Sequence, residues 1–260
     1  MKKLIYSIFA TLLAFSVNAQ YTIMSAVDLK DGAEQDYLEL EKFWSPLHEK
    51  AIEEGIQNFQ AVFKIIQSND ESDVAADYVI LTGFSSKEQL DAYNASVIET
   101  FRDLAYDVYK GKMSRRAINS MFSGESLDNG RRNYHLVGVD GTIWAGGQLK
   151  VGDRMNITTT MAKSEDFVDL ETKYVKPIME QLILKGQHRW WGLSEIYETS
   201  ENAYDGISHM FFNLPVEGAT ESLWSESQKT FTGQKMIQLV GGASSHQTQG
   251  SMEVVYVHTQ

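Results

Sequence analysis

The 260-residue chain has no cysteine. That absence removes disulfides, thiolate metal sites, thiol nucleophiles and lipid attachment through a lipobox cysteine. Positive charge is scarce as well: 23 Lys and Arg stand against 35 Asp and Glu, for a net charge of −12. Such a balance keeps a chain soluble and works against binding a phosphate backbone, so nucleic acid is excluded as a partner. Arg115-Arg116 and Arg131-Arg132 are too short to form a basic patch. Beyond the first twenty residues no apolar run approaches the ~20 residues of a membrane-spanning helix, so no stable membrane insertion is expected. Also missing are a phosphate-binding loop, a dinucleotide glycine fingerprint and a nucleophile elbow. The six histidines show no paired H-x-x-x-H spacing, so no metal site is expected.

What is present begins with a secretory signal. Lys2 and Lys3 precede an apolar stretch, Leu4 to Val17, and small residues stand at Val17 and Ala19 before Gln20. Charged start, short apolar stretch and small-residue cut predict cleavage after Ala19 and a periplasmic or secreted location. Cleavage removes only those two lysines among charged residues, which takes the mature chain to about −14. A mature chain of ~240 residues buries enough apolar surface to fold without disulfides.

The mature chain repeats itself. Asp36-Tyr-Leu-Glu-Leu-Glu41 matches Asp166-Phe-Val-Asp-Leu-Glu171 in type. An aromatic follows in each (Trp44, Tyr174), then a proline (Pro46, Pro177), a glycine (Gly55, Gly186) and an aromatic-rich run. The offset is 130 residues at the start of the match and 131 from the prolines on. Such ordered self-similarity marks duplicated units.

In the first copy, strands are predicted over Tyr21–Asp28, Asn58–Ile66, Asp77–Phe84 and Tyr134–Val139. Helices are predicted over Ala33–Glu54 and, capped by Ser85, on to about Met121. In the second copy, strands are predicted over Met155–Met161, Arg189–Tyr197, Ile207–Leu214 and Met252–His258. Helices are predicted over Glu165–Lys185 and Thr220 to about Leu239. The expected domains are a signal peptide (1–19), repeat one (20–139), a glycine-rich linker (140–153) and repeat two (154–260). Each repeat reads β-α-β-β-α-β, the ferredoxin-like order. Tyr78–Phe84 and Met210–Leu214 are apolar on both faces. Helices cover only one face of such a sheet, so the other must meet the sheet of the other copy. The expected fold is α+β: tandem ferredoxin-like repeats pairing antiparallel sheets into a pseudo-dimeric α/β barrel, as a monomer with pseudo-twofold symmetry or as a homodimer.

With this order and the Trp44-Ser45-Pro46-Leu47-His48 helix, the chain resembles the dimeric α/β-barrel superfamily. Its members include antibiotic-biosynthesis monooxygenases, NIPSNAP-like proteins, stress-responsive A/B-barrel proteins and chlorite-dismutase-like haem proteins. The resemblance implies the barrel fold more strongly than any one activity.

Candidate catalytic residues are Glu41, Trp44 and His48, at i, i+3 and i+7 on one helix edge, where a carboxylate beside an imidazole could raise its pKa. The plain alternative is a helix edge with one aromatic packed inward. Candidate ligand-binding residues are Trp44, His48, Tyr174, Trp190, Trp191 and His209. Trp190 and Trp191 are adjacent in a strand and must point to opposite faces. Arg189 or His209 beside such an aromatic wall could hold a flat anion. Gly241-Gly242-Ala-Ser-Ser-His246 reads as a flexible loop. The leading reading is a protein that binds a small apolar or aromatic molecule between its two sheets, without a cofactor. One alternative is a cofactor-independent oxygenase or isomerase, or a haem-binding enzyme. The other is a structural protein with a packed barrel core.

Overall fold

The computed structural model describes residues 20–69, 75–124, 126–219 and 229–260. The expected signal peptide lies outside the described residues. So do residues 220–228, the first part of the expected final helix.

The first repeat runs β1 (Tyr21–Leu29), α1 (Glu34–Glu53), β2 (Phe59–Ser68), β3 (Tyr78–Phe84), α2 (Lys87–Val108), α3 (Arg115–Phe122) and β4 (Asp128–Gly141). The second runs β5 (Arg154–Ala162), α4 (Phe167–Leu170), a π-helical turn (Glu171–Val175), α5 (Lys176–Leu184), β6 (His188–Thr199), β7 (His209–Pro215), α6 (Phe231–Ala243) and β8 (Ser244–Thr259).

Local chemistry explains the helix limits. Glu34 and Asp36 stand in the first turn of α1 and Lys50 in its last, each complementing the helix dipole. Gly55 follows at φ 72°, a left-handed turn that suits glycine. The cap of α2 is Ser86 rather than Ser85. Ser86 Oγ accepts from Gln89 N (3.2 Å), and Gln89 Oε1 accepts from Ser85 N (2.7 Å). The capping box is therefore Ser86/Gln89, one residue later than Ser85/Glu88.

Each repeat forms a four-stranded antiparallel sheet, β4-β1-β3-β2 and β8-β5-β7-β6, and the two close into one eight-stranded barrel. The seams are β2 with β8 (Val62 opposite Tyr256) and β4 with β6 (Val137 opposite Glu195). The last strand of each repeat makes a seam, which is why both exceed expectation: β4 has 14 residues and β8 has 16. The segment expected as a loop, Gly241 to His246, instead ends α6 and begins β8.

Alternation now assigns the faces. Val79, Leu81, Met210, Phe212 and Leu214 point into the barrel, with Phe63, Leu136 and Met252. Tyr78 and Ile80 face the other way, beside Tyr37 of α1. Phe211 and Trp191 likewise face the helices of repeat two. Both faces are apolar because both are covered.

Candidate functional site

Two large cavities interrupt this packing, and a smaller one of about 190 Å³ lies beside Tyr93 and Phe101 in repeat one. One, about 570 Å³, opens at an end of the barrel between the two sheets; Phe59, Leu81, Met155, Trp190 and Phe212 are among its walls. The other, about 800 Å³, is a cleft between the sheet of repeat two and its helices. Its helix side carries Glu171, Val175 and Met179, and its sheet side His188, Trp191 and Phe211.

Glu171 is 3 % exposed and makes no hydrogen bond or ion pair among the described residues. Burial alone pushes its carboxyl up to about 7. On the opposite wall, burial holds the His188 imidazole down to about 4, against a smaller opposing effect of Asn213. Its Nε2 is buried without a hydrogen bond. The cleft thus carries a carboxyl poised to change protonation near neutral pH and a neutral imidazole with one unpaired nitrogen. The sequence reading missed both as a pair. The signal was available: Glu171 matches Glu41 across the repeat, and each is a carboxylate on a helix face that packs inward.

The π-helical turn starts at Glu171, and the repeat explains it. Matched residues run at an offset of 130 up to Glu171 and 131 from Pro177 on. One inserted residue in a helix held at both ends is taken up as a single wide turn. Past the insertion, 131 pairs Trp44 with Val175. Tyr174 is displaced outward and is 46 % exposed.

The candidate residues do not converge. Glu41 is buried next to Tyr37, and burial raises its pKa. His48 instead bonds the buried Gln57, whose Nε2 donates to His48 Nδ1 (3.1 Å), and its ring lies 4.9 Å from Phe101 and 6.2 Å from Trp44. Burial lowers its pKa to about 4, opposite to the rise expected from a neighbouring carboxylate. Trp190 borders the barrel cavity, 5.4 Å from Trp144. Trp191, 2 % exposed, borders the cleft. His209 is buried against Phe167 (4.9 Å) and bonds Ser208. Arg189 is committed elsewhere, to Asp153 Oδ2 (2.7 Å) and the carbonyls of Gly147 and Gln148. Among the described residues no cluster of three His, Asp or Glu side chains is placed to hold a metal ion. No described helix is long and apolar enough to cross a membrane.

The sequence matches no protein-family model and no curated protein. Solved structures do match it. A candidate monooxygenase from Lactobacillus acidophilus has a TM-score of 0.56 at 10 % identity, over 93 % of this chain and 97 % of its own. An anthrone oxidase-like protein gives 0.52 at 9 %, over 93 % of each chain. A candidate monooxygenase from Fusobacterium nucleatum gives 0.53 at 9 %, over 94 % and 96 %. The fold is the dimeric α/β barrel, built here from one chain. These likenesses span both repeats.

Proposed function

We propose that the protein is an exported enzyme that moves a proton on a small, uncharged, mainly aromatic molecule bound in the cleft of repeat two. The observation that carries the reading is Glu171, a carboxyl without a partner on the wall of an 800 Å³ cleft, with its pKa raised to about 7. A general acid or base works best when its pKa lies near the operating pH. His188 is the second polar side chain of the wall, kept neutral by burial beside Asn213. Val175, Met179, Trp191 and Phe211 supply the apolar walls that fix a flat substrate and exclude water. No lysine or arginine borders the cleft among the described residues, which favours an uncharged substrate.

One similar structure is described as anthrone oxidase-like, and anthrone suits this cleft. It is an uncharged tricyclic ketone whose methylene protons are acidified by the carbonyl. Removal of one proton by ionised Glu171 leaves an enolate. Dioxygen adds at that carbon, the peroxide takes up a proton, and loss of water gives anthraquinone. Dioxygen is the oxidant, so the step balances without a cofactor. Haem would find an iron ligand in His188 but no lysine or arginine along the described wall for its propionates. The fit is incomplete.

The test is anthrone oxidation by the mature chain in air, followed as anthraquinone absorbance. The wild type is expected to exceed the buffer rate, with kcat/KM rising through about pH 7 as Glu171 ionises. Glu171→Gln should lose about 10²–10⁴-fold while still binding anthrone. A buffer-level rate with no anthrone binding would sink the cleft reading; binding without turnover would leave a binding protein. Export is tested by the mass of the secreted chain, which should begin at Gln20.

A further inference from the structure

The cavity at the barrel end is a separate feature, and its walls are paired by the repeat. Phe59 and Trp190 stand 131 residues apart, as do Leu81 and Phe212, and all four border it. Thr22 and Met155 are a third pair, because β1 meets β3 at Val27–Tyr78 as β5 meets β7 at Thr160–His209. The cavity therefore straddles the pseudo-twofold axis, where neither repeat alone could form it.

One side has been specialised. At Ala61 of the first repeat the second has Gly192, and a Cβ there would fall 2.5 Å from the Trp190 ring. The glycine lets that indole lie flat along the cavity wall. Trp144 stacks obliquely on it, at 5.4 Å and 38°. The loop that carries Trp144 is strapped to the start of β6 by Arg189, through Asp153 and two loop carbonyls. Gly146, at φ 79°, allows the close approach, since a Cβ would meet Arg189 at 3.2 Å. An indole pair held open over an apolar floor is a platform for a planar ring.

Among the described lining residues the only ionisable side chain is Asp140, already bonded to Lys176 Nζ (2.6 Å) and Gly141 N (2.7 Å). The other polar side chains are uncharged, Asn58, Gln148, Ser194 and Thr259 among them, and Gln20 on the same rim would carry the α-amino group of a chain cut after Ala19. Asn58 donates to Ser85 Oγ (3.0 Å).

We infer that the barrel end is a second binding site, distinct from the cleft, for a planar aromatic molecule. The experiment is a fluorescence titration with 2-naphthol on the wild type and three variants. Trp144→Ala removes half of the platform from an exposed loop and leaves the Arg189 strap. Gly192→Ala displaces the Trp190 ring. Val240→Trp fills the cleft instead. Expected are binding of 2-naphthol by the wild type and a loss of about five- to tenfold in both barrel-end variants, the scale of one aromatic contact. Val240→Trp should leave the affinity unchanged. The inference is overturned if the wild type does not bind 2-naphthol, or if only Val240→Trp weakens binding. The last result would place the naphthol in the cleft and leave the proposed function standing.

Discussion

Among the described residues the helix layer of the first repeat is packed more tightly than that of the second, with a cavity of about 190 Å³ against a cleft of about 800 Å³. Tyr37 and Tyr78 meet under α1 at 4.7 Å, and their counterparts Phe167 and His209 meet at 4.9 Å under α4. From there the two diverge. Repeat one packs α3 beside α2 and stacks Tyr109 on Phe43 at 5.0 Å, making an aromatic cluster with Trp44, Phe101 and Phe122. It also ties α1 to β8 through Ser45 and His258 (2.8 Å). Repeat two has Trp191 and Asn213 where repeat one has the buried Gln60–Thr82 hydrogen bond (2.7 Å). Its helix carries the π-helical turn, and its cleft stays open. The proposed function places the site in the second copy and leaves the first as the better-packed half. Stability should therefore be concentrated in one half and pH-dependent binding in the other.

The largest expected effect lies in the closed half. Phe101 is 1 % exposed and touches Trp44, His48 and Tyr93. Phe101→Ala should cost about 3–5 kcal/mol in urea unfolding. Phe211→Ala should cost less, about 2 kcal/mol, because that ring borders the 800 Å³ cleft whereas Phe101 borders a cavity of only about 190 Å³. Equal costs would break the division.

The next effect is electrostatic. The folded-state pKa of Glu171 is raised from 4.5 to about 7, so the native state holds a proton that the unfolded chain releases. As pH rises from 4.5 to 7 the unfolded state binds fewer protons than the native one, and stability falls. Above the folded pKa the loss is complete, on the order of 3 kcal/mol. Glu171→Gln should therefore stabilise the protein at pH 8 relative to wild type and have little effect at pH 4.5. Parallel melting curves at the two pH values check it, and a pH-independent difference would mean that Glu171 is not the buried acid.

How much of this was legible follows from particular residues. Tyr78–Phe84, apolar on both faces, demanded two coverings, and the barrel follows from that. The offset change from 130 to 131 held the π-helical turn in plain sight, but a one-residue shift shows its meaning only once both helix ends are fixed. The geometry of the Glu41–Trp44–His48 edge was not legible for a related reason. Spacing places side chains on a face of the helix but does not say what covers that face, and Gln57 took the imidazole. The cleft was not legible at all, because a cavity is set by what fails to fill it across elements distant in sequence.

A smaller effect sharpens the comparison at those residues. Repeat one pairs His48 with Gln57, and repeat two has Met179 and His188 at the same positions. His48→Met strands the buried Gln57 amide and should cost about 1–3 kcal/mol. Adding Gln57→His recreates the arrangement of repeat two and should recover at least half. A double-mutant cycle measures the coupling, and independence of the two changes would show that the swap between copies has no structural logic.

The smallest effect decides between two alignments of the repeat. Type matching pairs Trp44 with Tyr174, whereas the wide turn pairs Trp44 with Val175. If the second is right, Tyr174 is a displaced surface residue, and Tyr174→Ala should change stability by no more than about 0.5 kcal/mol. Trp44→Ala should cost about 2 kcal/mol or more, because its ring lies 4.9 Å from Phe122 and 5.8 Å from Phe101. Chemical denaturation of the two variants gives both numbers. A cost for Tyr174→Ala near that of Trp44→Ala would return Tyr174 to the interior, and the inserted residue would have to be accommodated elsewhere in the helix.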